Sequence, residues 1–114
     1  MSPLSLAPGA VVTEHQRAVI EGRPENCAVQ FRERVAKSAA KEAFRHPDAQ
    51  ENWVSVTWGE AGELVDQLAA GLLALGVKHQ QRVGIASGTR FEWVLADLAI
   101  MCAGAATTTV YPST

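Results

Sequence analysis

The chain has no run of ~18 consecutive apolar residues, so no segment reads as a transmembrane helix. It has no Lys or Arg before Arg17. The apolar patches at 4–7 and 10–12 therefore lack the basic flank of a secretory signal, and a cytoplasmic protein is expected. There are only two cysteines, Cys27 and Cys102, and neither has a CxxC partner. Both are expected as buried free thiols in a reducing compartment, with no histidine near either in sequence to act as a base. Neither sign of charge dominates: the net charge of −2 offers no basic field for nucleic acid and no attraction to anionic membranes. No GxxxxGK[ST] or GxGxxG phosphate loop is present, and no GxSxG elbow. No Ser-His-Asp set can be composed, and no His/Cys/Asp/Glu cluster has metal-ligand spacing.

What remains is an ordinary globular composition, 47% apolar and 19% charged over 114 residues, enough for one domain at most. Residues 1–25 show neither a helical nor a strand period and are broken by Pro3, Pro8, Gly9, Gly22 and Pro24, so an irregular lead-in is expected there. Asn26 can cap a helix over 27–40, with Ala28, Phe31, Val35 and Ala39 on one stripe. Its charges Arg32, Glu33, Arg34 and Lys37 read as a solvated face. Strands are expected at 42–46 and 53–57, joined by the polar loop 47–52 into an antiparallel hairpin. Thr57 and Glu60 form a capping box ahead of a helix over 58–75, striped with Ala61, Leu64, Val65, Leu68, Ala69, Leu72 and Leu75 and stopped by Gly76. The segment 82–111 then reads strand, helix, strand. Thr89 and Glu92 have the form of a second capping box, the helix 90–103 is apolar nearly all round, and Gly104 stops it. Ala106-Thr107-Thr108-Thr109-Val110 follows, closed by Pro112. Two strands joined by a helical crossover must lie parallel. The expected fold class is therefore α/β: helix, β-hairpin, helix, then a βαβ unit. A helix apolar all round needs cover on several sides, so further protein is expected against it.

The one place with the form of a ligand site is Ser87-Gly88-Thr89-Arg90, between a strand and a helix, where open α/β folds bind phosphate. The competing reading is a βα turn in which Gly88 relieves the backbone and Thr89 caps. Glu60 and Glu63 lie a helical turn apart as paired carboxylates would, but Glu60 is already assigned to a cap. Arg90 beside Phe91 and Trp93 has the elements of an anion site, which the core position of these aromatics explains as well. His46, before Pro47, reads as structural. No residue is assigned as catalytic, cofactor-binding or metal-ligating.

Three stretches carry a resemblance. Phe31-Arg32-Glu33-Arg34-Val35-Ala36 leads to Glu42-Ala43-Phe44-Arg45. Val56-Thr57-Trp58-Gly59-Glu60 is followed by Leu68-Ala69-Ala70-Gly71-Leu72-Leu73-Ala74-Leu75-Gly76-Val77 and Arg82-Val83-Gly84-Ile85. Ser87-Gly88-Thr89-Arg90-Phe91-Glu92-Trp93-Val94 continues through Leu95-Ala96-Asp97-Leu98-Ala99 to Gly104-Ala105 and Tyr111-Pro112. In order and spacing these resemble the N-terminal part of AMP-forming long-chain fatty acyl-CoA ligases, adenylate-forming enzymes, over residues 26–114. The resemblance implies a partial N-terminal subdomain of a protein that uses ATP, Mg and CoA to make an acyl-adenylate and then a thioester. The family's lysine-bearing phosphate loop, adenine motif, ribose aspartate and C-terminal lysine have no counterpart here. The expectation is a truncated or split ligase segment, inactive alone and binding none of those cofactors by itself. An alternative is a subunit that completes a separately encoded remainder, and the last is a small nucleotide binder at 87–89.

Overall fold

The structure is a computed structural model and describes residues 11–111. The expectations for Pro3, Pro8, Gly9 and Pro112 fall outside those residues. Four helices and four strands follow in the order α1 (Glu14–Glu21), α2 (Cys27–Ser38), β1 (Glu42–Pro47), β2 (Trp53–Thr57), α3 (Trp58–Ala74), β3 (Arg82–Ala86), α4 (Phe91–Cys102) and β4 (Ala106–Val110). The α/β class and the order helix, hairpin, helix, βαβ unit are as expected for residues 26 onward.

Helix α1 corrects the irregular lead-in. Thr13 and Gln16 form a capping box, with the Gln16 amide donating to Thr13 Oγ1 at 3.1 Å and the Thr13 amide donating to Gln16 Oε1 at 2.9 Å. No residue of α1 is buried. At eight residues α1 is too short for a period to stand out in the sequence, so its capping box is its clearest local signal.

The other ends follow local chemistry closely. The Asn26 side chain accepts from the Val29 amide at 2.9 Å and starts α2. Thr57 and Glu60 cap α3 reciprocally, each bond 3.1 Å long. Gly76 (φ +98°) and Gly104 (φ +83°) both sit in the left-handed region and end α3 and α4. The Val77 amide donates to the Leu72 carbonyl and the Ala105 amide to the Ile100 carbonyl, closing a Schellman turn at each helix end. A side chain at either glycine would be strained by the backbone alone.

The hairpin pairs β1 with β2 antiparallel, Phe44 opposite Val56 and His46 opposite Val54, with a bulge near Ala43. Asp48 Oδ1 organises the loop by accepting from the Gln50 and Asn52 amides at 2.8 and 2.9 Å. Strands β3 and β4 form a separate two-stranded parallel sheet, with Arg82 opposite Ala106 and Ala86 opposite Val110. Helix α4, the crossover between them, packs on α2, α3, β3 and β4.

The core joins Phe31, Val56, Ala61, Val65, Ala69, Leu95 and Ala99. Only half of the α3 stripe takes part. Ala61, Val65 and Ala69 are buried, whereas Leu68 is 44% and Leu75 86% exposed. The inner edge of the stripe is small, which lets α3 approach α2 and α4 closely; Leu72 packs against the core, while Leu64, Leu68 and Leu75 face outward. A row of aromatic contacts then fixes the hairpin. Phe31 meets Trp58 at 6.2 Å, Trp58 meets Phe44 at 5.8 Å and Phe44 meets Phe91 at 5.6 Å, within the usual range for tilted ring pairs.

Helices α2 and α3 meet tightly at Gly62, where an added Cβ would lie 2.8 Å from Val35 Cγ1, a stiff β-branched side chain. At Gly71 an added Cβ meets nothing within 4 Å. Gly62→Ala is expected to lower the urea midpoint, because overpacking costs about 1–3 kcal/mol against a helix gain of about 1. Gly71→Ala should raise it by the equivalent of about 1 kcal/mol. Equal effects at the two positions would show that α2 and α3 do not pack as described.

Candidate functional site

The turn from Ser87 to Arg90 leads from β3 into α4, as the sequence placed it. The expected cap is not what forms. Helix α4 begins at Phe91 with Arg90 in the cap position and no side-chain cap bond. A capping box needs its acidic partner at the third helical residue, and Glu92 is the second, so Thr89 lies one position too early to use it. Glu92 is bound instead by Arg90, whose Nε donates to Glu92 Oε2 at 2.8 Å. The Arg90 guanidinium, with help from the Glu92 backbone amide and a smaller pull from His46, holds the Glu92 carboxyl below the ordinary glutamate value. His46 stacks on Phe91 with ring centres 4.4 Å apart and planes 10° from parallel, so this loop histidine packs against the first turn of α4.

The charges at this turn are already paired with each other. A phosphate would need the free amides at the N-terminus of α4 and a cation beside them. Here a carboxylate, Glu92, already stands in that first turn and takes the only adjacent guanidinium. Ser87 Oγ donates to the neighbouring Gly88 carbonyl at 3.0 Å, and an added Cβ at Gly88 would meet nothing within 4 Å.

The remaining sequence candidates resolve in the same direction. Glu60 accepts from the Thr57 amide, and that bond keeps its carboxyl below the ordinary value. Glu60 is thus a cap, as its spacing from Thr57 indicates. Arg32 pairs with Asp66 across α2 and α3. Among the described residues no group of three His, Cys, Asp or Glu side chains is placed to hold a metal. Both thiols are free, but only one follows the expected burial. Cys102 is half-buried beside Arg32, and its burial pushes the thiol pKa up. Cys27 is exposed, because the first residue of α2 stands outside the core that the middle of the helix builds.

Two grooves were not anticipated. One, of about 700 Å³, runs between the leucine flank of α3 (Leu68, Leu72, Leu75), strand β3 (residues 83–86) and α4 (Ala96, Ile100). The other, of about 820 Å³, lies between α2, α4 and the α1–α2 connection. Arg34 and Lys37, read from sequence as part of a solvated face, line the second. The only sequence signal for it is the row Gln30, Arg34, Lys37 at helical spacing, which a solvated face shares.

Residues 31–114 match the family described as AMP-binding enzyme. The chain belongs to that family. It is 44% identical over 59 residues to the long-chain-fatty-acid–CoA ligase FadD15 of Mycobacterium bovis, an alignment covering 52% of this chain and 10% of that protein. It is 40% identical over 63 residues to the long-chain-fatty-acid–CoA ligase heimdall of Drosophila melanogaster, covering 55% of this chain and 9% of that one. The acetoacetyl-CoA synthetase of Streptomyces lividans superposes with a TM-score of 0.67 at 29% identity, covering 75% of this chain and 13% of its own. The chain therefore spans about a tenth of the length of the curated relatives it matches. The resemblance to the N-terminal region of fatty acid–CoA ligases holds, and the α/β elements are those of an adenylate-forming enzyme.

Three exposed carboxylates, Glu42, Glu60 and Glu92, are all held below the ordinary glutamate value, first by Arg45, by the Thr57 amide and by Arg90 respectively. A group lowered in the folded state contributes stability that is complete above its unfolded pKa of about 4.3 and is lost as pH falls through the folded value. Glu92→Gln should therefore be less stable than the parent at pH 7. In urea titrations the two should converge as pH drops below about 4. A gap that persists unchanged at acid pH would remove the Arg90–Glu92 pair as its cause.

Proposed function

We propose that this chain is the N-terminal segment of an ATP-dependent long-chain fatty acid–CoA ligase and that alone it performs neither adenylation nor thioester formation. The observation that carries the reading is the 44% identity to a ligase of that class over 59 residues. Residues 26–114 are proposed as part of the ligase's N-terminal subdomain, preceded by a lead-in that contains α1. No residue of this chain is assigned a catalytic, cofactor or metal role. The self-paired Arg90 and Glu92 support that assignment, and ATP, Mg and CoA are taken to be held by ligase polypeptide beyond this segment. The working compartment is the reducing cytoplasm, in keeping with two free thiols.

A second reading has its own observation. Parallel sheets are covered on both faces, yet Arg82, Gly84, Ala86, Thr108 and Val110 share an exposed sheet face, and the leucine flank of α3 stands open beside β3. Ligase polypeptide that covers these surfaces, in the same chain or in a second one, would make this segment a structural half of the enzyme. The apolar flank also predicts dye binding and association when the segment is alone.

The test is ATP–pyrophosphate exchange with long-chain fatty acids. The purified chain should give no exchange above the blank. Co-expression with a ligase remainder lacking the aligned segment should yield a complex that exchanges. Clear exchange by the chain alone would overturn the inactivity, and two pieces that never co-purify would overturn the structural-half reading.

A further inference from the structure

We propose that α1 is a strap: it swings about the connection 22–26 and closes over the groove between α2 and α4, seating Val12, Val19 and Ile20 on the groove's apolar floor. The need for a seat comes from α1 itself. A helix of eight residues is marginal in water without tertiary packing, and a capping box offsets only part of that deficit. Yet α1 has a face suited to packing. Val12, just before the cap, lies on one side of the helix with His15, Gln16, Val19 and Ile20, and the five border one shallow depression. Val12, Val19 and Ile20 stand exposed there. Glu14, Arg17 and Glu21 occupy the opposite side. Among the described residues, every hydrogen bond of residues 13–22 ends within 13–23, so only the chain connection ties α1 to the body.

The groove beside α2 supplies the seat. Its floor is Phe31, Phe44, Trp58, Val94, Leu98 and Met101, all buried or half-buried. Val19, Gly22 and Arg23 already stand at its edge, and Val19 borders both the groove and the depression on α1. The lengths agree. Val94 to Met101 on α4 and Gln30 to Lys37 on α2 each extend about 10 Å at 1.5 Å per residue, and Val12 to Ile20 about 12 Å. Helix α1 ends at Glu21 and α2 begins at Cys27, which leaves the five residues 22–26 between them. Loops of about two to five residues join antiparallel helices. An antiparallel return carries Val19 towards Gln30 and Val12 towards Lys37, with the charged side of α1 outward and the stems of Arg34 and Lys37 along its flank. Cys27 lines the same groove and is exposed. Closure covers this thiol together with the aromatic floor, so the strap gates access to both.

Cys102 does not line the groove and serves as an internal reference. The experiment is alkylation of both thiols of the full chain by iodoacetamide, followed peptide by peptide, in the parent and in Val19→Gln with Ile20→Gln. Both positions are exposed, and glutamine is a good helix former, so the fold and α1 itself are kept. Cys27 of the double variant is expected to react about fivefold faster than in the parent, with Cys102 unchanged, because the open state is then the populated one. Arg17→Gln, on the outward side of α1, should leave both rates as they are. Hydrogen exchange at the amides of Val19 to Glu21 gives a second reading: slow in the parent and about tenfold faster in the double variant. Equal Cys27 rates in the parent and the double variant, equal acceleration of both thiols, or unprotected α1 amides in the parent would each overturn the strap. Protection of Cys27 that fades on dilution would also overturn it, because α1 would then be seated on a second copy. Neither rate depends on pyrophosphate exchange, so the ligase reading and this one fail separately.

Discussion

Helix α4 is sheathed in apolar side chains and touches α2, α3 and both strands of the parallel pair. Leu95, Ala99 and Ile100 are buried within it, and the rest of its residues, Glu92 apart, are at least partly covered. Burying such a helix removes much apolar surface from water, and α2, α3, β3 and β4 pack around it. Helix α3 approaches through Ala61, Val65 and Ala69, and α2 reaches α3 through the gap that Gly62 leaves. The hairpin has no backbone bond to α4. It is held to Phe91 at the helix start by Phe44 and His46.

That packing also decides the chemistry of the Ser87–Arg90 turn. Helix α4 starts at Phe91, which joins the aromatic row, and Thr89 lies outside the cap. Arg90 and Glu92 then neutralise each other at the helix N-terminus. A carboxylate of the chain's own thus stands in the first turn of α4, where the helix dipole favours negative charge. The surfaces left open are two grooves of different character. The one beside β3 is lined by aliphatic side chains and a sheet margin, and it suits more protein. The one beside α2 has an aromatic floor and a basic rim, and the end of α1 stands at its edge.

Much of the fold was legible because its ends are local. Asn26, the Thr57–Glu60 box, Gly76 and Gly104 each act within six residues, and each works as its sequence pattern indicates. The hairpin and the βαβ unit were legible for a similar reason: alternation and β-branched content mark the strands, and a helical crossover leaves a parallel pairing as the only outcome. Helix α1 was missed because eight residues give a period too little length to show. Its Thr13–Gln16 box was the available signal. The leucines of α3 were assigned to the core as a group, but a stripe records hydrophobicity and not which of its edges finds a partner. The candidate ligand turn was legible as a position and not as a state, since Glu92 in the second helical place instead of the third turns a cap into an ion pair.

The sequence by itself determined the element order, the α/β class, the helix stops and the family, because caps, periods and motif spacing are short-range facts that survive without neighbours. Only the tertiary structure decided that Leu68 and Leu75 face outward, that Cys27 is exposed while Cys102 is half-buried, and that Arg34 and Lys37 border a groove floored by α4. Those outcomes depend on which surfaces meet across tens of residues. One amphipathic pattern is compatible with several such meetings, and close packing around α4 selects among them.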